Sequence, residues 1–164
     1  MNIDIKPITS VLLILTNDCP LHCKYCFEQH KKDRMSYEIA MDILNFLYQT
    51  DSPSYGICFF GGEPCLYWDE LIVPIVEKNK QLSKPVSYSI STNGVLLTKE
   101  RIDWIAENKF AILLSLDGDK QTQDINRPFV NQNSSFDIVK SNLEYCLTIF
   151  PGIEVNSVLT PATV

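Results

Sequence analysis

Short runs of apolar, β-branched and aromatic residues recur along this chain, and stretches with helical periodicity separate them. The runs are apolar at nearly every position, which is typical of strands in a parallel sheet that is covered on both faces. Strands that alternate with helices in this way predict a parallel α/β architecture with right-handed crossovers. The five predicted strands are Val11–Leu15, Tyr55–Phe60, Val86–Ser91, Ala111–Leu116 and Ile153–Leu159.

Four helices are predicted from apolar residues spaced three or four positions apart. Three of them begin at hydroxyl residues of the kind that favours helix N-termini, which are Ser36, Thr98 and Ser135. The other covers Trp68–Lys80, and Pro74 inside it predicts a kink or a late helix start. The apolar stripe predicted for the first helix consists of Ile39, Ile43 and Leu47.

Composition narrows the class of protein. The chain has 164 residues and a formal net charge of -6, and its longest basic run is Lys31-Lys32, which argues against a nucleic-acid partner. The apolar run Val11–Leu15 is too short to span a bilayer and lacks a cleavage-site pattern, so the sequence predicts a cytoplasmic protein without a membrane segment. In that compartment its six cysteines are expected to be metal ligands or buried thiols rather than disulfides.

Three of these cysteines follow the first predicted strand within eight residues, in the segment Cys19-Pro-Leu-His-Cys23-Lys-Tyr-Cys26. Three thiolates this close in sequence can converge only if the chain wraps around one small metal centre. Soft sulfur ligands select zinc, copper(I) or an iron–sulfur cluster. A structural zinc site takes four ligands and a ferredoxin cubane takes a fourth cysteine, and neither pattern is completed nearby. Three cysteines on a 4Fe-4S cluster leave one iron for an external ligand. A zinc site completed by His22 or His30 is the alternative.

Polar turns that contain glycine follow the next three predicted strands. They are Gly61-Gly62-Glu63-Pro64, Ser91-Thr92-Asn93-Gly94 and Ser115-Leu116-Asp117-Gly118. Each is an ordinary turn signal alone, but the carboxyl ends of barrel strands share the rim where the chemistry of such folds lies. No glycine-rich dinucleotide or Walker pattern indicates a doubly wound sheet. The sequence therefore predicts a partial parallel (β/α) barrel that stops after about five strands, as one domain over residues 1–164 that is incomplete at its C-terminus.

The series C-x3-C-x2-C, G-G-E-P, S-T-N-G and S-L-D-G resembles the radical S-adenosylmethionine (SAM) enzymes. Within them it is similar to the peptide and protein maturases that often carry a C-terminal SPASM domain, such as the anaerobic sulfatase-maturing enzymes. The resemblance implies that Cys19, Cys23 and Cys26 hold a 4Fe-4S cluster whose fourth iron binds SAM. It also implies that reductive cleavage of SAM gives a 5′-deoxyadenosyl radical, which abstracts a hydrogen atom from a peptide or protein substrate. The implied electron donor is a protein such as flavodoxin or ferredoxin.

The resemblance further implies a set of residues that bind the cofactor. Gly61–Glu63 would receive the SAM amino group, and Ser115 and Asp117 would face its ribose or methionine end. Arg127 would pair with the SAM carboxylate through two hydrogen bonds. The full implied set is Tyr25, Gly61, Gly62, Glu63, Thr92, Asn93, Ser115, Asp117 and Arg127.

Two other classes of function stay open at this point. One is a non-catalytic zinc or iron–sulfur module, which would bind metal but not SAM. The other is a truncated radical SAM relic, which would assemble a cluster without cleaving SAM. The remaining cysteines are expected to be buried or incidental thiols, and they are Cys58, Cys65 and Cys146.

Overall fold

The computed structural model describes residues 7–150, 152–161 and 163, and its centre is one sheet of five parallel strands. The strands lie side by side in chain order, as in the wall of a barrel, whereas the order reverses within a doubly wound sheet. The sheet does not close, which confirms the predicted partial α/β barrel. The strands are β1 (Ser10–Ile14), β2 (Tyr55–Phe60), β3 (Val86–Thr92), β4 (Ala111–Ser115) and β5 (Glu154–Asn156).

Helices connect the strands. A 3-10 helix, Pro64–Tyr67, and a π-helical turn, Trp68–Ile72, precede α2, so that Pro74 lies in the first turn of α2 and the predicted late start is confirmed. Within the described ranges, no helix has the length and apolar character needed to cross a membrane. The α-helices are α1 (Tyr37–Tyr48), α2 (Val73–Asn79), α3 (Lys99–Glu107), α4 (Lys120–Asn126) and α5 (Phe136–Ile149).

Two of the three predicted N-terminal hydroxyl residues cap their helices. Ser36 Oγ accepts a hydrogen bond from the Ile39 amide at 3.2 Å, and Thr98 Oγ1 accepts one from the Arg101 amide at 3.4 Å. Ser135 stands at the cap position of α5, but its hydroxyl instead donates to the Arg127 carbonyl at 2.7 Å. Ser135 therefore holds the segment between α4 and α5 in place and does not cap α5 with its side chain.

The buried face of α1 differs from the predicted stripe. Leu47 is buried as predicted, but Ile39 is 54% exposed, and Ala40 and Leu44 complete the buried face. The rotation places the alanine against the sheet, where a small side chain allows the helix to approach closely. The prediction was wrong for Ile39, because apolar residues outnumber the positions that the sheet can cover on this helix, whereas Leu47 and the half-buried Ile43 pack against the core.

The two faces of the sheet have different environments. Helices cover the outer face, where the side chains of Leu13, Phe59 and Ile90 are buried. On the inner face, Leu12 is 53% exposed and small residues form the floor of two hollows of about 540 and 610 Å³. The expectation that both faces are covered is thus met only on the outer face. The small inner residues are Ser10, Gly56, Cys58, Ser87, Ser89 and Ala111.

Candidate cluster and cofactor site

The three motif cysteines line one cavity of about 290 Å³ at the carboxyl ends of the strands. They belong to a segment that we call the cysteine loop (residues 17–27), which follows β1. Of the other predicted site residues, two lie buried behind the cavity, Glu63 and Asp117. The remainder line the cavity and are Tyr25, Gly61, Gly62, Thr92, Asn93, Ser115 and Arg127.

The paired glycines after β2 hold the beginning of the cysteine loop. The Gly62 amide donates to the Thr16 carbonyl at 2.8 Å, and the Glu63 amide donates to the Asp18 carbonyl at 2.9 Å. A Cβ atom on Gly61 would lie 2.3 Å from the Thr16 oxygen, and one on Gly62 would lie 2.4 Å from the Asp18 oxygen. Glycine is therefore needed at both positions because two backbone segments meet there.

Residues 126–130, which begin at the last residue of α4, hold the rest of the loop. The His22 amide donates to the Pro128 carbonyl at 2.8 Å, and the Lys24 amide donates to the Asn126 carbonyl at 2.9 Å. The Val130 amide donates in return to the Pro20 carbonyl at 3.1 Å. The cysteine loop is thus hydrogen-bonded to a backbone segment that is distant in sequence. These bonds fix the path of the chain between the cysteines.

Burial and hydrogen bonding set the state of the thiols. Burial raises the pKa of Cys19 to about 12. The side-chain amide of Asn93 donates a hydrogen bond to Cys19 Sγ at 3.3 Å, which opposes that rise. Burial also raises the pKa of Cys23, and the nearby Arg127 guanidinium opposes that rise. These thiols carry protons in the chain as it stands, and metal binding would displace the protons.

The arrangement of the cysteines bears on the kind of metal site. Among the residues that the structure describes, no three His, Cys, Asp or Glu side chains converge on one metal-ion position. A zinc site needs its ligands at about 2.0–2.3 Å from a single ion. A polynuclear cluster instead takes one cysteine at each of several irons, and metal analysis after reconstitution distinguishes the two kinds of site.

Glu63 connects the turn after β2 to the turn after β3. Its side chain is 0% exposed, and its Oε1 accepts hydrogen bonds from the Cys65 amide at 3.0 Å and the Thr92 hydroxyl at 2.8 Å. Its Oε2 accepts one from the Asn93 amide at 2.8 Å. Both carboxylate oxygens are therefore bonded within the protein. That Glu63 receives the SAM amino group stays a prediction.

The pKa of Glu63 gives a testable pH dependence of stability. Burial raises this pKa above its ordinary value of 4.5, so the folded state holds the proton more tightly than the unfolded state does. The stability that Glu63 contributes is thus complete below pH 4.5 and is lost as the pH rises through the raised pKa. Glu63→Gln cannot ionise, so we expect the stability advantage of the unmodified chain over this variant to shrink as the pH rises. Urea unfolding from pH 4.5 upward measures the difference in the free energy of unfolding between the two proteins. A stability advantage of the unmodified chain that grows with pH would contradict the prediction.

Arg127 and Asp117 form a buried ion pair at the cavity wall. The two side chains are 5% and 0% exposed, and Arg127 Nε lies 3.1 Å from Asp117 Oδ1. The Nε–H group is not aligned for a hydrogen bond, so the contact is mainly electrostatic. Arg127 Cζ also lies 5.2 Å from the centre of the Tyr25 ring. The guanidinium is thereby held at the cavity, where it can meet an anion.

Sequence reasoning missed two cavity residues at and after the fifth strand. Asn156 ends β5 and Val158 follows it, so they extend the pattern of chemistry at strand ends to the fifth strand. The polar residue Asn156 at the end of β5 was the sequence signal that could have identified this part of the cavity. His30 also lines the cavity with a backbone φ of 49°, and its Nδ1 is buried without a hydrogen-bond partner among the described residues. The sequence pattern indicated His30 only as an alternative zinc ligand.

Two of the remaining cysteines are buried, as expected. Cys146 lies in the core under α5, and Cys65 lies behind the glycine turn with its Sγ 3.7 Å from Thr92 Oγ1. Cys58 is half-buried on the inner face of β2. None of these three lines the cavity that the motif cysteines share.

Comparison with known proteins identifies the family. Residues 13–162 match the sequence model of the Radical SAM superfamily. Radical SAM cyclopropyl synthase TigE of Paramaledivibacter caminithermalis is 26% identical over 180 residues, which cover 96% of this chain and 37% of that protein. A cysteine-type anaerobic sulfatase-maturating enzyme of Clostridium perfringens is 30% identical over 132 residues, which cover 74% of this chain and 36% of that enzyme.

A solved structure shares the fold. The structure of native anSMEcpe with bound AdoMet and Cp18Cys peptide superposes with a TM-score of 0.77 at 27% sequence identity. The match covers 92% of this chain and 42% of that one, so this chain spans less than half the length of these relatives. The predicted resemblance to the sulfatase-maturing branch is confirmed. Because the family match extends over nearly all of the described cavity and sheet, this chain belongs to the radical SAM superfamily.

Proposed function

We propose that this chain is the cofactor-binding core of a radical SAM enzyme that modifies a peptide or protein. Cys19, Cys23 and Cys26 would hold a 4Fe-4S cluster, and SAM would occupy the rest of the cavity. With both bound, the chemistry supplied is reductive cleavage of SAM to a 5′-deoxyadenosyl radical that takes a hydrogen atom from the substrate. The proposed radical SAM core domain extends over residues 1–164.

One observation carries this proposal: the motif cysteines, the glycine turn, Asn93 and Arg127 line the same cavity. The donor set fits the cluster, because three soft sulfur ligands lie together beside open space. Asn93 donates to Cys19 Sγ, and such hydrogen bonds to ligand sulfurs tune cluster potentials. Arg127 supplies the positive charge that a carboxylate of SAM would require.

The other cavity residues have proposed roles that follow from their positions. The backbone of Gly61 and Gly62 at the cavity wall would receive the SAM amino group, and Ser115 would lie near the ribose or methionine end. Thr92 would line the SAM site, and the ring of Tyr25 would pack beside the cluster and the adenine. These groups bind and orient the cofactors, and the apolar wall excludes water from them.

The nature of the substrate rests on the relatives. The anaerobic sulfatase-maturating enzymes act in sulfatase maturation by name, and the solved anSMEcpe structure contains a peptide beside AdoMet. Both support a peptide or protein substrate for the protein to which this chain belongs. A flavodoxin or ferredoxin as electron donor, a cytoplasmic location and the absence of a nucleic-acid partner stay predictions.

The test is reconstitution with iron and sulfide without oxygen, followed by addition of SAM and dithionite and quantification of 5′-deoxyadenosine. We expect the unmodified chain to form it and the triple variant Cys19→Ala, Cys23→Ala, Cys26→Ala to form none above the background without protein. Cys58→Ser is the matched control, because Cys58 lies outside the cavity and its loss should leave the yield unchanged.

Other outcomes would select the alternative functions. Stoichiometric zinc without SAM binding would identify a structural metal module and overturn the proposal. A cluster that forms while SAM stays intact would identify a chain that binds the cluster but lacks parts needed for cleavage.

A further inference from the structure

The Asp117 carboxylate connects three parts of the site that are distant in sequence. Its Oδ2 accepts a hydrogen bond from the Tyr25 hydroxyl in the cysteine loop at 2.5 Å. Its Oδ1 accepts one from the Val158 amide after β5 at 2.9 Å and lies 3.1 Å from Arg127 Nε. The side chain is 0% exposed and does not line the cavity. It therefore contacts the groups around the cofactor cavity rather than the cavity itself.

The surrounding contacts hold Asp117 and Arg127 in place. The Asp117 amide donates to Gln123 Oε1 at 2.8 Å, and Gln123 Nε2 donates to Ser135 Oγ at 3.0 Å. That hydroxyl donates to the Arg127 carbonyl at 2.7 Å, which closes a ring of contacts from β4 through α4 to the start of α5. These bonds fix the backbone at both residues, and rotation of the Asp117 side chain would break its bonds to Tyr25 and Val158. The pair is thus fixed before any ligand arrives.

Tyr25 stands between two of the motif cysteines, and this gives its bond to Asp117 a functional meaning. The Tyr25 hydroxyl donates to the Asp117 carboxylate, and the Tyr25 ring lies against the Arg127 guanidinium. The Asp117 carboxylate therefore makes two contacts at the same time. It holds the cysteine loop through the Tyr25 hydroxyl, and it also holds the Arg127 guanidinium. With Nε of Arg127 against Asp117, the two Nη nitrogens are the donors left for an anion in the cavity.

We propose that Asp117 is a positioning residue for SAM binding, which sets the distance between the cysteine loop and the anion-binding guanidinium. The inference rests on the proposed function. A ligand that must reach the cluster with one end and Arg127 with its carboxylate binds tightly only if the two attachment points are already spaced for it. Asp117 acts through Tyr25 and Arg127 and does not itself touch the ligand.

The test measures SAM affinity apart from turnover. After reconstitution, iron content reports cluster assembly, and titration of SAM against the electron paramagnetic resonance spectrum of the reduced cluster reports the SAM dissociation constant. We expect Asp117→Asn to assemble the cluster but to weaken SAM binding about tenfold or more, since it removes the charge that fixes Arg127. Tyr25→Phe keeps the ring beside Arg127 and loses only the hydroxyl, so we expect a smaller loss of about three- to tenfold.

The double variant distinguishes positioning from a general loss of stability. Because the effect of Tyr25 passes through Asp117, Tyr25→Phe with Asp117→Asn should bind SAM no more weakly than Asp117→Asn alone. Additive losses, or an unchanged SAM dissociation constant in both single variants, would overturn the inference. If Asp117→Asn does not fold, Tyr25→Phe decides alone: unchanged SAM affinity would overturn the inference.

The matched control is Asp119→Asn. Asp119 caps α4 through the Thr122 amide at 2.8 Å, a bond that asparagine can also make, and it is exposed. This variant should titrate like the unmodified chain. If the unmodified chain assembles no cluster or its spectrum does not respond to SAM, the proposed function fails together with the inference. If it responds and the Asp117 and Tyr25 variants respond equally well, only the inference fails.

Discussion

We expect the replacement of Gly61 by alanine to destabilise the fold around the cysteine loop strongly, because two independent constraints exclude a side chain there. Gly61 has a φ of 134°, outside the range that residues with a Cβ adopt without strain, at a cost of about 1–3 kcal/mol. The new Cβ would also lie 2.3 Å from the Thr16 carbonyl oxygen, which the Gly62 amide holds in a hydrogen bond. We expect a combined loss of about 4 kcal/mol or more, against a total stability of roughly 5–15 kcal/mol. Denaturant unfolding followed by circular dichroism measures it.

Two other glycines separate these constraints. Gly118 also has a positive φ, of 77°, but its added Cβ would meet nothing closer than Thr122 Cβ at 4.0 Å. Gly118→Ala should therefore cost only the backbone strain, about 1–2 kcal/mol. Gly152 has open space within 4 Å, so Gly152→Ala should change the free energy of unfolding by less than about 0.5 kcal/mol. Equal unfolding free energies for the Gly61 and Gly152 variants would show that the close approach at Thr16 is unimportant.

Glu63→Ala is expected to have the second largest effect. It leaves the amides of Cys65 and Asn93 and the hydroxyl of Thr92 without their acceptor, in a place where the carboxylate is 0% exposed. Each buried unsatisfied donor costs about 1–3 kcal/mol, so the expected loss is about 3 kcal/mol or more. Hydrogen exchange at the Asn93 amide should accelerate along with it, since that amide loses its only described partner.

The Glu70→Ala variant provides the matched control for Glu63. Glu70 is exposed on the π-helical turn and makes no hydrogen bond or ion pair with the described residues. Its replacement should leave the unfolding midpoint unchanged. If Glu63→Ala unfolds at the same denaturant concentration as Glu70→Ala, the carboxylate does not hold the two turns together.

The sheet could be predicted closely from sequence because its strands are marked by apolar runs between turn residues. The bounds of β2 agree with the prediction, and β1 is displaced by a single residue. The fifth strand is much shorter than predicted, Glu154–Asn156, since an apolar run at the open edge of a sheet pairs only as far as its neighbour extends. The polar turns after the predicted strands favoured a barrel, in which such turns share one rim.

Helix α4 could not be predicted, because it has almost no apolar side chains to show a helical period. Its segment reads Lys-Gln-Thr-Gln-Asp-Ile-Asn. It is stabilised by the Asp119 cap and by the buried amide groups of Gln123 and Asn126, which bond to parts of the chain brought close by the fold. Tertiary contacts therefore decide its structure, and a single-sequence pattern contains no trace of them.

The candidate site was predicted as a set of residues but not as a set of contacts. Turn composition at strand ends identified Glu63, Asn93 and Asp117, since the fold brings the carboxyl ends of parallel strands together. Whether such a side chain enters the cavity or lies behind it depends on packing. Glu63 and Asp117 are both behind it, bonded to neighbouring turns and loops. The type of a polar residue alone does not show whether its side chain lines the cavity or holds neighbouring turns in place.

The pairing of the cysteine loop with residues 126–130 has a consequence for the order of events during protein synthesis. The cysteines leave the ribosome first, but the backbone that aligns them is translated roughly one hundred residues later. Until then, a nascent chain exposes three thiols with no defined spacing, open to any thiophilic metal in the cell. For the proposed iron–sulfur cluster, we therefore expect selective insertion to follow translation of residues 126–130.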